Sequence, residues 1–475
     1  MGKTVLRGMA ILLALLLLAG CGEKRRQTEE TTLWIVTEGA GNPTTTAAAR
    51  QKELQSLQKW VIARFEEKHP GVTVRLEALP ADAQERADRL EQLRTQIMAG
   101  EGPDGYLMPD QAAGGQETLF YDASLAMDNG LFADLSAYYD GDTALDTQAL
   151  RQDIMDAGVL DGKRYLLPMR YDLQVIYADA AQLKAAGLDP ARLGANLYSF
   201  YDAVAESGRG DWKQLGLALF WRGWALLPPA FDYEAREVVL SHEDMETFFQ
   251  RFQMAAAQDE PAAGAAPVDL WGYWRGGETI AKDSPLSVQR LNQILPLAAI
   301  AKNEGTDLTM LPLAGIDGKT AAEVTYYGAA SAHSAHPDLV YALLREFLTE
   351  EAQWEGDRAE KCSSLVLSSA GFPVRSRGAV APLWERYRQL LRSEAETQRT
   401  TTARQRALLD LSLTDEEIPL LTTPVDRVYF GNAELETSLG WQLNQLCESG
   451  ADSEEAASAA VEALFADLER HLAEG

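Results

Sequence analysis

The early part of the chain alternates short apolar runs with longer stretches of helical periodicity, and this alternation limits the possible folds more than any other feature. Residues 33–36 form an apolar run, and 54–65 then place apolar side chains at helical spacing. Alternating apolar and polar residues at 72–78 predict a half-buried strand. A second helical pattern at 90–97 leads to a third strand at 106–108. This β-α-β-α-β order predicts an α/β fold with a parallel, doubly wound sheet.

The size and charge of the chain narrow its class further. Its 475 residues suffice for two or three domains at roughly 100–200 residues each. Apolar residues make up 46% and charged residues 24%, a balance typical of globular proteins. Asp and Glu total 71 against 43 Lys and Arg, which gives a formal net charge of -28. Because this charge repels phosphate backbones, we expect no nucleic-acid partner.

The N-terminus has the pattern of a signal peptide. Lys3 and Arg7 precede the apolar run Ile11–Leu18, which is about half the ~20 residues that a spanning helix needs. The next residues, Leu18-Ala19-Gly20-Cys21, resemble the lipobox of bacterial lipoproteins. The resemblance implies that residues 1–20 are removed and that Cys21 is lipidated, followed by a tether over 21–31. A plain secretory signal with an incidental Cys21 is the alternative.

Two other cysteines, Cys362 and Cys447, follow in the exported chain. Exported thiols can pair as a disulfide. Two buried free thiols are the alternative, and the spacing of the cysteines does not decide between them.

Several motifs occur in an order that resembles one family. Residues 65–74 read FEEKHPGVTV and 102–108 read GPDGYLM, which is similar to the opening of the extracellular solute-binding proteins of ABC importers, the maltose-binding-like group. Further matching segments are 161–168, 175–178, 185–189, 273–281, 327–337 and 371–375. The chain departs from the family at Ala178, where asparagine is usual, and at 392–423, which matches no part of the family pattern.

The resemblance implies two discontinuous α/β domains joined by a hinge, as in periplasmic binding proteins, with a ligand cleft between them. Domain I would comprise 32–168 plus 318–360, and domain II 173–317 plus 361–475. Hinge closure would capture an extracellular solute, which would then pass to the membrane subunits of an ABC importer. We expect a monomer that is anchored by lipid to the outer face of the bacterial cell membrane.

A local excess of tryptophan suggests the class of ligand. Five of the ten tryptophans lie between residues 212 and 274. Aromatic faces suit the C–H face of a pyranose ring, and planar charged groups suit its hydroxyls, so a sugar or oligosaccharide is the expected ligand. The candidates here are Trp221, Arg222, Trp271 and Trp274. The alternative is that these rings fill a core between helices.

Other candidate ligand-binding residues follow the predicted strands or lie on the crossing strands, since open sheets bind ligands beyond the carboxyl ends of their strands. They are Glu38 and Asp110 after the first and third strands, Tyr171 and Asp172 on the crossing strand, and, on the resemblance, Tyr326, Tyr327 and Arg375. The alternative for the carboxylates is ordinary solvation. For Arg375 it is an ion pair that stabilises the fold.

No catalytic, metal-binding or cofactor-binding motif is complete. The segment 315–320 lacks the first glycine of a phosphate loop, and His333 and His336 lack a third metal ligand. We therefore expect no cofactor, no metal and no catalytic residues. Three alternatives stay open: a binder of polyamines or other cationic solutes with the same fold, a surface glycan hydrolase, and a sensory or adhesion lipoprotein.

Overall fold

The computed structural model describes residues 30–39, 46–109, 117–206, 226–233, 235–257, 286–290, 294–354, 371–396, 406–449 and 454–474. The strands are β1 (Thr31–Thr37), β2 (Val72–Ala78), β3 (Gly105–Pro109), β4 (Val159–Leu160), β5 (Lys163–Arg164), β6 (Leu166–Asp179), β7 (Phe231–Asp232), β8 (Glu237–Val238), β9 (Leu286–Arg290), β10 (Leu308–Pro312), β11 (Ala321–Ala330), β12 (Phe372–Pro373) and β13 (Arg427–Phe430).

The helices are α1 (Thr46–Lys68), α2 (Ala83–Met98), α3 (Ala123–Asp128), α4 (Ser136–Asp140), α5 (Gln152–Met155), α6 (Ala180–Ala185), α7 (Pro190–Ala195), α8 (Leu197–Glu206), α9 (His242–Ala257), α10 (Ile294–Glu304), α11 (Pro337–Glu346), α12 (Glu350–Trp354), α13 (Val380–Glu396), α14 (Ala433–Ser449) and α15 (Glu454–Glu474). Within the described ranges, none of these helices is long and apolar enough to cross a membrane.

The five elements predicted for the early part of the chain are confirmed. β1 pairs in parallel with β2 along its whole length and with β3 at its carboxyl end. The helix between β2 and β3, α2, is capped by Asp82, whose side chain accepts hydrogen bonds from the amides of Gln84 and Glu85. The buried face of α2 carries Leu90 and Leu93. The apolar periodicity was thus a reliable guide to both type and order.

The complete sheet is mixed rather than wholly parallel. Its order is β10-β6-β11-β3-β1-β2, with β9 and β12 also on β6 and β13 on β11. β11 runs antiparallel to both β3 and β6. Every residue of β3 and β11 is buried, because both faces of the sheet are covered at its centre.

The 14 residues of β6 link two regions of the molecule. Its first part, from Leu166 to Leu173, pairs with β11, and its last part, from Gln174, pairs with β9 and β10. The register with β11 shifts at Val324–Tyr327, a β-bulge that bends the pair. β6 therefore has the course expected of a crossing strand.

The buried apolar residues of the described chain form two clusters. The first includes β1 to β3, α2, α10, α11 and β6 as far as Val175. The second begins at Ile176 and includes α8, α9, α14 and α15. We call the elements around the first cluster the first lobe and those around the second cluster the second lobe. The arrangement is that of the two-domain periplasmic-binding-protein fold.

Residues 371–430 pack differently from the grouping that the expected boundaries gave, which placed 361–475 in domain II. The buried residues from Phe372 to Phe430 belong to the first cluster, whereas those from Leu435 onward belong to the second. The unmatched stretch 392–423 contributes Leu408, Leu413 and Ile418 to the first cluster. The expected domain boundaries stay a prediction.

Gly371 provides a test of the packing at the start of this segment. Its φ is +96°, and a Cβ there would lie 2.1 Å from Thr325 Oγ1. Gly130 also has a positive φ, of +66°, but a Cβ there would meet nothing within 4 Å. We expect Gly371→Ala to lower the free energy of unfolding by about 3 kcal/mol or more and Gly130→Ala by roughly 1 kcal/mol. Urea denaturation measures both, and equal losses would contradict the close packing at Gly371.

Candidate functional site

The carboxyl end of β1 carries a buried ion pair. The Glu38 carboxylate contacts the Arg86 guanidinium at 2.5 Å, and both side chains are almost fully buried. Burial raises the pKa of Glu38, while the charge and hydrogen bond of Arg86 lower it in part. The next residue is held equally closely, since a Cβ on Gly39 would lie 1.8 Å from the carbonyl oxygen of Leu79. The chain is therefore fixed where β1 ends.

Arg86 was not among the predicted site residues, although the apolar periodicity of its helix could have indicated it. It lies on α2 in line with Leu90, Leu93 and Ile97, the buried face of that helix. An arginine on an apolar face indicates a buried partner, because an unpaired buried charge costs several kcal/mol. Here the partner is Glu38, one of the predicted ligand-binding residues.

Two arginines of α2 also hold the segment that follows β3. Arg86 donates to the carbonyl oxygen of Glu117 at 2.6 Å. Arg94 pairs with the Glu117 carboxylate at 2.5 Å and donates to the carbonyl oxygen of Thr118 at 2.7 Å. Residues 117–122 are thereby tied to the end of β1 through side chains of one helix.

The crossing strand places two predicted site residues in the interior. Tyr171 is fully buried, with its ring edge-on to Phe372 and near the guanidinium of Arg151. Burial raises the pKa of Tyr171 to about 12. Asp172 is 1% exposed and stands opposite Glu323 in the register of β6 and β11. Two acidic residues therefore share the buried crossing of the two long strands.

The two predicted tyrosines of β11 are also buried. The hydroxyl of Tyr326 accepts a hydrogen bond from Gln58 Nε2 at 2.9 Å. The ring of Tyr327 packs edge-on against Phe430. Both tyrosines thus contact first-cluster neighbours at the centre of the sheet.

Arg375 lies in the turn after β12 and contacts residues from several segments. Its amide donates to Gln353 Oε1 at 3.2 Å, and its carbonyl oxygen accepts from Trp354 Nε1 at 3.0 Å. Its guanidinium lies 3.8 Å from the Asp146 carboxylate. The ion pair anticipated as its alternative role is therefore present, although at long range.

The other predicted residues lie outside the described residues. They are Asp110, Trp221, Arg222, Trp271, Trp274, the lipidation candidate Cys21 and Cys362; Cys447 lies on α14, but its side chain is not described. The assignment of ligand-binding roles stays a prediction for the whole set. Among the described residues, no group of three or more His, Cys, Asp or Glu side chains is placed to hold a metal ion.

A polar cluster that the sequence did not indicate connects the two lobes. Asp122 Oδ2, on the first lobe, accepts hydrogen bonds from the Tyr233 hydroxyl at 2.5 Å and from Asn432 Nδ2 at 2.8 Å. Tyr233 lies on the turn between β7 and β8, and Asn432 precedes α14. A pocket beside this cluster is lined by Leu125, Asp128, Asn129, Tyr233, Arg236, His471 and Leu472. Residues from both lobes therefore meet at one place.

Comparisons with known proteins identify the class. The fold and a family model together define a solute-binding protein, since residues 48–354, more than half of the chain, match the model of the bacterial extracellular solute-binding proteins. The chain belongs to this family. Its members bind small-molecule solutes and work with the membrane subunits of ABC transporters. No match was found among curated proteins.

Solved structures agree with the fold. An extracellular solute-binding protein of family 1 from Alicyclobacillus acidocaldarius has a TM-score of 0.52 at 12% identity, with 93% of this chain and 98% of that chain covered. A periplasmic oligogalacturonide binding protein from Yersinia enterocolitica has a TM-score of 0.50 at 14% identity, with 94% and 99% covered. A de novo designed cysteine esterase has a TM-score of 0.53 at 15% identity, with 94% and 99% covered. At such low identities these likenesses concern the fold alone.

The buried ion pair at the end of β1 yields a pH-dependent prediction. Arg86→Leu leaves Glu38 buried without its partner, so we expect a loss of about 3–5 kcal/mol in the free energy of unfolding at pH 7. Burial raises the pKa of Glu38 in the folded chain above its pKa in the unfolded chain. The free-energy cost of ionising Glu38 on folding therefore grows as the pH rises above the unfolded-state pKa and vanishes below it. The loss should therefore shrink near pH 4.

Urea denaturation at pH 7 and pH 4 measures this effect. Arg89→Leu is the matched control, since the pair of Arg89 with Glu77 is about one quarter exposed and its loss should cost about 1 kcal/mol or less. Equal losses for the two variants, or a loss for Arg86→Leu that does not change with pH, would argue against an electrostatic role for the buried pair.

Proposed function

We propose that this protein is the lipid-anchored substrate-binding component of an ABC importer that captures a sugar or oligosaccharide by hinge closure. The observation that carries the proposal is the course of β6, which leaves the first lobe and enters the second, within a chain of the extracellular solute-binding family. A solute bound between the lobes would gain contacts from both only when they close. Differential binding of this kind shifts a two-state equilibrium towards the closed form.

The choice of a carbohydrate rests on the residue types between positions 212 and 274 of the sequence. Trp221, Arg222, Trp271 and Trp274 combine aromatic faces with a guanidinium, a combination suited to pyranose rings and their hydroxyls. We propose that these residues and Asp110 contact the sugar directly. Glu38, held by Arg86, would fix the adjoining end of β1.

The remaining candidates would support the site from inside the first lobe. Tyr171, Tyr326 and Tyr327 are enclosed by first-cluster side chains, so they would fix the sheet behind the site rather than move when the solute binds. Asp172 would contribute a buried acidic group at the crossing of β6 and β11. Arg375 would hold the turn after Gly371.

A binding screen tests the proposal. The full chain, purified in detergent, is heated with monosaccharides, neutral oligosaccharides, oligogalacturonides, polyamines and amino acids in turn. A solute at 100 times its dissociation constant stabilises the folded state by about 2.7 kcal/mol, which produces a clear increase in melting temperature. We expect an increase with one sugar family only, together with a change in tryptophan emission.

Matched variants locate the site. Trp271→Ala should abolish the sugar-dependent increase, whereas Trp34→Phe should retain it, because Trp34 lies on β1 with its indole bonded to Glu77. An increase in melting temperature with polyamines alone would change the proposed ligand from a sugar to a cation, in line with the net charge of -28. Release of reducing ends from a bound oligosaccharide would favour a glycan hydrolase, and binding of none of the probes would favour a sensory or adhesion lipoprotein.

Lipid anchoring has a separate test. When the full-length precursor is expressed in a bacterial host, we expect it to partition into the detergent phase and to gain the mass of a lipidated N-terminal cysteine. Cys21→Ala should remain in the aqueous phase at unchanged fold stability. Detergent partitioning of both proteins would contradict anchoring through Cys21.

A further inference from the structure

The cluster of Asp122, Tyr233 and Asn432 is the basis of a further inference. Its members come from three distant parts of the chain and form a closed triangle, because Asn432 Nδ2 also lies 3.2 Å from the Tyr233 hydroxyl. Asp122 is 8% exposed. We infer that these three residues form an interlobe latch, which biases the lobes towards closure when no solute is bound and so contributes to the affinity for solute. The inference rests on the lobe closure in the proposed function but not on the kind of solute.

Each member of the latch is fixed within its own lobe. Asp122 uses its other oxygen, Oδ1, to accept from the Ser124 and Leu125 amides at the start of α3. Asn432 accepts from the Leu435 amide at 2.8 Å through Oδ1, which caps α14 and directs Nδ2 towards Asp122. Because these side chains are already ordered, little rotamer entropy is lost when the lobes meet.

Tyr233 is the third member and is held by stacking. Its ring lies 5.4 Å from that of Phe231, nearly parallel to it. Burial, together with the neighbouring Asp122 carboxylate, raises the pKa of Tyr233. The hydroxyl therefore keeps its proton at neutral pH and acts as a donor to Asp122.

Aromatic contacts support the latch on one side. The ring of His471, on α15 of the second lobe, lies edge-on to Tyr121 at 6.4 Å between centroids and also meets Phe231 at 5.4 Å. Tyr121 belongs to the same segment as Asp122, which Arg86 and Arg94 tie to α2. Movement of the latch is thus linked mechanically to the end of β1.

Asn432→Asp is the sharpest test of the inference. Aspartate keeps the cap of α14 but replaces the amide donor with a carboxylate beside Asp122, so attraction becomes repulsion. Asn196→Asp is the matched control, because Asn196 caps α8 in the same way, with Oδ1 accepting from the Ser199 amide at 2.7 Å. Both variants should fold, and only Asn432→Asp should open the lobes.

Tyr233→Phe is a second, milder test. It removes the interlobe hydroxyl, whereas the control Tyr341→Phe removes a hydroxyl bonded to Asp142 inside the first lobe. We expect Tyr233→Phe to raise the ratio of open to closed molecules about tenfold, which is the effect of losing one hydrogen bond to a charged group. Tyr341→Phe should leave that ratio unchanged.

The ratio is measured without solute by double electron–electron resonance, which gives the distance between two nitroxide labels. The labels are attached to cysteines introduced at the exposed positions Glu91 and Glu469. The full chain is used, with Cys21 replaced by alanine and Cys362 and Cys447 replaced by serine. We expect both a short and a long distance in the parent and in both controls, with the short distance a substantial share of the population, and a longer distance that dominates in Asn432→Asp. Identical distributions in the parent and Asn432→Asp would overturn the latch. The binding screen is independent of this result, so the two proposals can fail separately.

Discussion

The pairing of β6 with β11 is the constraint on which the rest of the structure depends. Backbone donors and acceptors buried at the centre of a sheet must be paired, so the fully buried β11 fixes the register of β6. β6 then continues beyond Leu173 and pairs with β9 and β10. One strand therefore sets the position of the second lobe relative to the first. The bulge near Val324 and the tight packing at Gly371 occur where this strand pair bends.

At the carboxyl end of β1, a buried charge is compensated locally. Arg86 compensates Glu38 and also binds carbonyl oxygens of two loops. A buried pair of this kind contributes little net stability but is costly to break, so its main effect is to fix positions. It joins the end of β1 to residues 117–122, from which Asp122 reaches the second lobe.

Local sequence patterns predicted the elements but not the contacts between distant ones. Apolar periodicity identified β1 to β3 with their helices, because burial on one face leaves a repeating pattern. The same reasoning could have found Arg86, a charge on an apolar helix face. It could not have found Asp122 with Asn432, since 310 residues separate them and only the folded sheet brings them together. Tyr171 and Tyr326 were selected for their position on the chain, and burial gives them neighbours that a sequence does not reveal.

The contact of Asp122 with the second lobe has a free energy that would influence closure without fixing it. Asp122 Oδ1 accepts from amides of α3, within the first lobe, and Asp122 Oδ2 bridges to the second lobe. Separation of the lobes would therefore expose Oδ2 and its two donors to water, which would replace most of the lost hydrogen bonding. The net cost would be about 1.5–3 kcal/mol for a hydrogen bond to a charged group. A ligand can shift a two-state equilibrium only by its differential affinity for the states. On the proposed closure, a latch in this range would bias the lobes towards the closed form and would still leave the final populations to the solute.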